Sequence, residues 1–105
     1  MPSTKIVVSG EIQIDPADHD AAIALVEPLV TATRAEAGCI EYDFWVDPRD
    51  PGRIRVFEEW TSDKPIEAHS ESDHYIQFLT AIAGIRVKSV ELWRFDVTSK
   101  SPHSP

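Results

Sequence analysis

The sequence predicts an α+β domain of ferredoxin-like βαββαβ order, an antiparallel sheet with two helical segments on one face. Three observations lead there. Four segments alternate apolar and polar residues with a period of two, as half-buried strands do. Two stretches between them repeat apolar residues every three to four positions, as amphipathic helices do. The chain has 105 residues, 42% hydrophobic and 27% charged, which suits a single globular domain with one core. Strand, helix, two strands, helix, strand is the order of the split βαβ unit.

The first strand is Lys5–Ile14. Ile6, Val8, Ile12 and Ile14 share one parity with Gly10 between them, and Val7, Ser9, Glu11 and Gln13 share the other. Gly10 marks a bulge or a close backbone approach. Asp15-Pro16 opens the first helix, with Asp15 suited to the N-cap and Pro16 to the first helical position. Ala22, Leu25, Val26, Leu29, Val30 and Thr33 form its apolar stripe. Pro28 interrupts the stripe and predicts a kink, and Gly38 is the stop. Cys39–Val46 alternates again, with Ile40, Tyr42, Phe44 and Val46 opposite Cys39, Glu41, Asp43 and Trp45. Asp47–Gly52 is dense turn chemistry, so Ile54–Trp60 reads as the return strand of a long-looped hairpin. Thr61-Ser62-Asp63 supplies N-caps for a short helix over Lys64–His69. Ser70–Asp73 breaks or jogs it, and a second piece carries Tyr75, Ile76, Phe78, Leu79 and Ile82 up to Gly84. Val87–Val97 is a long last strand. Residues 1–98 form the domain, and the Ser/Pro-rich residues 99–105 form a flexible tail.

The helix-free face of such a sheet would present Val7, Cys39, Trp45, Phe57, Val90 and Leu92 among charges. A mixed apolar surface of that kind marks an interface, so a homodimer packed through the open sheet face is expected. The helix-facing row contains Glu58, which shares parity with Ile54, Val56 and Trp60. A carboxylate under helices must be paired, hydrogen-bonded or protonated. Either it pairs with Arg86, Arg94 or a helix N-terminus, or it is a pocket group that orients a histidine or a ligand hydroxyl. His69 and His74 flank the jog. On an unbroken helix they would stand ~140° apart, but a jog lets both reach one cavity. Tyr42, Phe44, Trp60, Tyr75, Phe78 and Trp93 fall on expected inward positions. They read first as core, and together they would suit a flat aromatic ligand.

Several functions are excluded or weakened. Acidic residues outnumber basic ones 18 to 10, giving a net charge of −8, which disfavours nucleic acid and anionic membranes. One cysteine, Cys39, allows no intrachain disulfide and no cysteine-built metal centre. No flanking basic group activates it, so it reads as a small hydrophobe. Glu58, His69 and His74 match no known metal-ligand spacing, and no metal is expected. Phosphate-binding glycine loops and the G-x-S-x-G elbow are absent. No apolar stretch has signal-peptide or membrane-span length, so a cytoplasmic setting is expected.

Taken in order, Gly38-Cys39-Ile40-Glu41-Tyr42, Pro51, Phe57-Glu58-Glu59-Trp60-Thr61-Ser62, Ala68-His69, Ser72-Asp73-His74 and Phe78 resemble the antibiotic biosynthesis monooxygenase domain. That family includes small quinol monooxygenases, and the resemblance runs to Asp96. It implies a dimeric α+β barrel in which two ferredoxin-like chains join their sheets. It also implies oxidation of dihydroxylated aromatics or anthrones to quinones with O₂, without metal, flavin or haem. By this resemblance His69 or His74 is the catalytic base and Glu58 orients it. Tyr42 and Trp60 are then the stacking and hydrogen-bonding walls of the substrate pocket, which Phe44, Tyr75, Phe78 and Trp93 complete. Haem-degrading relatives use a pocket asparagine, a tryptophan and a histidine. This chain contains no asparagine, and Gln77 and His69 stand near the histidine and tryptophan positions, which disfavours haem. The alternatives are a non-catalytic dimeric barrel that binds a small hydrophobic metabolite, and an isomerase or lyase on the same scaffold.

Overall fold

The computed structural model describes residues 5–105 of the protein. Met1–Thr4, part of the start read above as lacking a signal-peptide core, lie outside the described residues. Strand β1 (Lys5–Ile14) leads through a 3₁₀ turn at Pro16–Asp18 into helix α1 (His19–Arg34). Strands β2 (Cys39–Asp47) and β3 (Asp50–Trp60) form a hairpin. Helices α2 (Asp63–Ser70) and α3 (Asp73–Ala81) follow, then a 3₁₀ turn at Ile82–Gly84 and strand β4 (Val87–Val97). The four strands make one sheet in the order β2-β3-β1-β4, and every neighbouring pair is antiparallel. This is the expected ferredoxin-like βαββαβ arrangement. None of the described helices is long and apolar enough to cross a membrane.

Local chemistry accounts for the element ends. The Asp15 carboxylate accepts the Ala17 amide at 2.9 Å, capping the 3₁₀ turn that precedes α1. Pro28 lies inside α1, yet the helix runs unbroken from His19 to Arg34. Gly38 has φ +84°, and a Cβ there would press on the Pro65 side chain. Glycine is therefore required both by backbone and by space. The hairpin is tighter than expected, since β3 starts at Asp50 and only Pro48 and Arg49 form the turn. Asp47 accepts the Arg49 amide and Asp50 accepts the Gly52 amide. These side chains satisfy local backbone donors and let pairing run to the turn.

The core lies between the sheet and the helices. One cluster joins Ile6, Leu29, Tyr42 and Trp60, and another joins Ile14, Ala22, Ile54 and Ile85. The helices cover the sheet unevenly: α3 packs on α1, and α1 packs on β2. The β4 edge is left largely bare, which sets the position of the cavity described next.

Candidate active site

A cavity of about 280 Å³ opens between α3 and the sheet. Tyr42 and Phe44 reach it from β2, and Tyr75, Phe78 and Leu79 from α3. Val90 and Leu92 rim it from β4, and Glu58 enters from β3. Strand register explains the arrangement. Glu58 pairs with Tyr42 on one side and Val8 on the other, all of one parity. That parity also carries the buried Val56 and Trp60.

Among the described residues the Glu58 carboxylate has one side-chain partner: Trp60 Nε1–H donates to Oε1 at 2.9 Å. Burial pushes the Glu58 pKa above the usual carboxylate value, and the Trp60 bond only partly opposes this. The magnitudes agree, since one hydrogen bond to a charged group is worth roughly 1.5–3 kcal/mol, while desolving an ion costs several. Burial also pushes the Tyr42 phenol up, with the nearby Glu58 charge adding to it. The cavity thus joins an apolar lining to a carboxylate that takes a proton more readily than one in water.

Behind Tyr42 and Tyr75 stands a second polar group. His69, at the end of α2, is buried with its ring 5.2 Å from Tyr42, 5.2 Å from Trp60 and 4.8 Å from Tyr75. Its Nδ1 lies 2.8 Å from Glu36 Oε2, and His74 Nε2 lies 3.5 Å from Glu36 Oε1. The second distance is within ion-pair range, but its alignment makes no hydrogen bond, and among the described residues Nε2 is buried without a hydrogen-bond partner. Burial lowers the His69 pKa, and the Glu36 carboxylate opposes the shift. The jog at Glu71-Ser72 brings the two imidazole rings to 6.0 Å. Ser72 holds the jog, since its Oγ donates to the His69 carbonyl and accepts the Tyr75 amide.

The expected constellation is therefore divided. Tyr42, Phe44, Tyr75, Phe78 and Glu58 share the cavity. His69 and His74 come together, but Glu36, not Glu58, is the carboxylate that meets them. Arg86 pairs with Asp15 and Asp18, and Arg94 with Asp63 and Asp96, so neither meets Glu58. His74 faces a different groove, between α1 and α3. Trp60 is fully buried and acts on the site through Glu58.

Two register shifts correct the remaining expectations. Near Gln13/Ile14 the β1–β4 ladder shifts, so Val87 pairs with Ile14 but Val90 pairs with Ile12. The odd-numbered residues beyond the bulge therefore face away from the helices. Trp93, expected inward, pairs with Ser9 on the open face and is 60% exposed. Val90 and Leu92, expected on the open face, rim the cavity instead. A second shift between Cys39 and Glu41 turns Ile40 outward, while Cys39 packs against the core beside Trp60. Burial raises the Cys39 pKa, with Glu36 and Glu58 adding to it, which disfavours a thiolate nucleophile. Glu36 was missed because it follows the first helix in a turn without a motif. Its one signal was an acid at a helix C-terminus, where the dipole disfavours negative charge.

Comparison with known proteins extends this geometry. The family model described as antibiotic biosynthesis monooxygenase matches residues 5–81. An uncharacterised Synechocystis protein, sll1783, is 28% identical over 87 residues, which are 83% of this chain. The matched region spans 59% of that protein's length. Rv0793 of Mycobacterium tuberculosis, provisionally named a monooxygenase, is 27% identical over 88 residues, covering 84% of this chain and 86% of its own. The solved structure of Rv0793 superposes with a TM-score of 0.81, over 95% of this chain and all of that one, at 24% identity. A crystal structure described as an antibiotic biosynthesis monooxygenase gives 0.78 at 26% identity, over 90% of this chain and 99% of its own.

Proposed function

This chain belongs to the antibiotic biosynthesis monooxygenase family, and on that premise we propose that it oxidises a small phenolic or quinol-type aromatic with O₂, using Glu58 as the base. The observation that carries the reading is one ionisable carboxylate inside an otherwise apolar and aromatic cavity. Tyr42, Phe44 and Phe78 pack on one another, with centroids 5.6 and 6.4 Å apart, and give the cavity an aromatic wall on which a flat ring can stack.

For an anthrone-type substrate the steps balance as follows. Glu58 takes a benzylic proton and leaves a carbanion delocalised into the ring system. The carbanion passes an electron to O₂, and the resulting radical pair joins as a peroxide anion, which gains a proton. The carbon then loses its remaining hydrogen and the peroxide O–O bond breaks. The CH₂ has become C=O with one atom of O₂, and the other leaves as water. The protein's contributions are proton transfer, exclusion of water and orientation. Organic cofactors are not needed in this scheme, because the substrate anion is itself the reductant.

The same reading includes a homodimer through the open sheet face. Trp45, Trp93 and Phe95 are the large exposed apolar residues that support it.

The test is oxygen uptake with naphthohydroquinones and anthrones. Turnover should occur with the native protein and fall about 10²–10⁴-fold in Glu58→Gln, the range for loss of a general base. Ligand-induced thermal stabilisation without oxygen uptake would instead support a non-catalytic binding barrel.

A further inference from the structure

We propose that Glu36, His69 and His74 form a binding site for a divalent first-row transition metal, separate from the aromatic cavity. One ligand atom from each residue lies within 4.8 Å of the others. The Glu36 carboxylate lies between the two rings, with Oε2 2.8 Å from His69 Nδ1 and Oε1 3.5 Å from His74 Nε2. A tetrahedral ion with bonds of ~2.0–2.1 Å needs ligand atoms roughly 3.3–3.5 Å apart. The 4.8 Å bound on the three atoms exceeds that spacing by little more than 1 Å, the scale of a side-chain adjustment.

A second observation points to a ligand. His74 Nε2 is buried and lacks a hydrogen-bond partner, although an acceptor lies only 3.5 Å away. A buried ring nitrogen without a partner is an uncompensated group, and a metal ion would satisfy it. The donor set also discriminates. Two imidazoles with one carboxylate suit Zn²⁺ and Fe²⁺, and suit Mg²⁺ and Ca²⁺ poorly. His74 borders a groove of about 210 Å³ between α1 and α3, lined also by Leu25, Pro28 and Gln77. That groove is a route for the ion and a place for a solvent ligand. Tyr42 and Tyr75 stand between this cluster and the Glu58 cavity.

No ligand spacing announces this site, because Glu36 lies 33 residues before His69. A readable motif such as H-E-x-x-H places two ligands on one helix at a fixed spacing. Here three different segments contribute: the turn after α1, the end of α2 and the start of α3.

The test is titration of the tag-free protein with Co²⁺, read by its visible d–d absorption and by calorimetry, followed by displacement with Zn²⁺. We expect about one equivalent to bind in a tetrahedral or five-coordinate environment. Glu36→Gln and His74→Gln should each weaken binding by more than about 100-fold, beyond the loss of an outer-shell partner. Both side chains are partly exposed, so both variants are expected to fold, and their metal-free melting curves check this. His69 is left in place because it packs in the core. A His19→Ala/His103→Ala control should bind as the native protein does. The absence of saturable binding overturns the proposal. So does binding that survives both ligand substitutions or disappears in the control. Because binding is read without substrate, failure here leaves the oxygen-uptake result untouched, and the reverse also holds.

Discussion

Glu58 occupies a position where its charge is disfavoured, and this has a consequence for stability. Its pKa in the folded protein is raised by burial, so the folded state holds its proton to higher pH than the unfolded chain does. The stability contribution of Glu58 is therefore fully present below the unfolded carboxylate pKa and is lost as pH rises through the raised folded value. Glu58→Gln removes that loss while keeping the side-chain size. The variant should melt higher than the native protein at neutral pH, and the difference should shrink at pH 4. Thermal unfolding across pH 4–8 measures this, and a lower neutral melting temperature would count against a desolvated carboxylate. Paired with the expected fall in oxygen uptake, a gain in stability would place Glu58 among residues kept for function at a structural cost. Gly10 shows the opposite constraint. A Cβ there would collide with the Glu91 carbonyl on β4, so its small size is what lets β4 approach.

At the scale of elements, the jog between α2 and α3 is the feature on which the polar cluster depends. A continuous helix would separate His69 and His74 around its circumference. Two short helices joined by Glu71-Ser72 direct both rings at Glu36. Ser72 is the N-cap of α3 and also donates to the last turn of α2. Ser72→Ala should cost about 1 kcal/mol, the usual value of an N-cap, and lower the melting temperature by roughly 4–8 °C. Ser72→Asp should restore most of the capping, since aspartate caps as well as serine does. Differential scanning calorimetry decides it, and an unchanged alanine variant would mean that the jog is held by packing alone. The β4 bulge is the second such feature, for it alone determines which apolar residues rim the cavity and which face outward.

The whole molecule is a slab. Its extents are 47 × 36 × 20 Å and its radius of gyration is 14.6 Å, against about 13 Å for a compact chain of this size. The short dimension is that of two packed layers at about 10 Å each, one of sheet and one of helix. Among the described residues the other side of the sheet has no second layer. Trp45, Trp93 and Phe95 are exposed there, while Glu59 is only 4% exposed because the tail returns and Lys100 Nζ reaches its carboxylate at 3.1 Å. The proposed homodimer would cover this surface, and a standard interface needs about 800 Å² per partner. Sedimentation at micromolar concentration should give a dimer for the native chain, and a Trp93→Lys/Phe95→Lys double variant should run as a monomer. A native monomer would remove the dimer from the proposed function but leave the cavity as described.

Element type and order were legible in the residues themselves, because apolar periodicity is a local property. Alternation located the four strands, and β4 emerged with its expected ends. Parity likewise placed Glu58, Tyr42 and Phe44 on the helix side. Periodicity does not survive an unpaired residue, however. A single bulge reversed Trp93 with Leu92, and another exchanged Ile40 for Cys39. No local pattern marks where a ladder will slip, since the slip depends on how the neighbouring strand is twisted and filled. The partnership of Glu36 with His69 and His74 is likewise a fact of three dimensions. It arises where three chain segments distant in sequence are forced together by burial of the core beneath them.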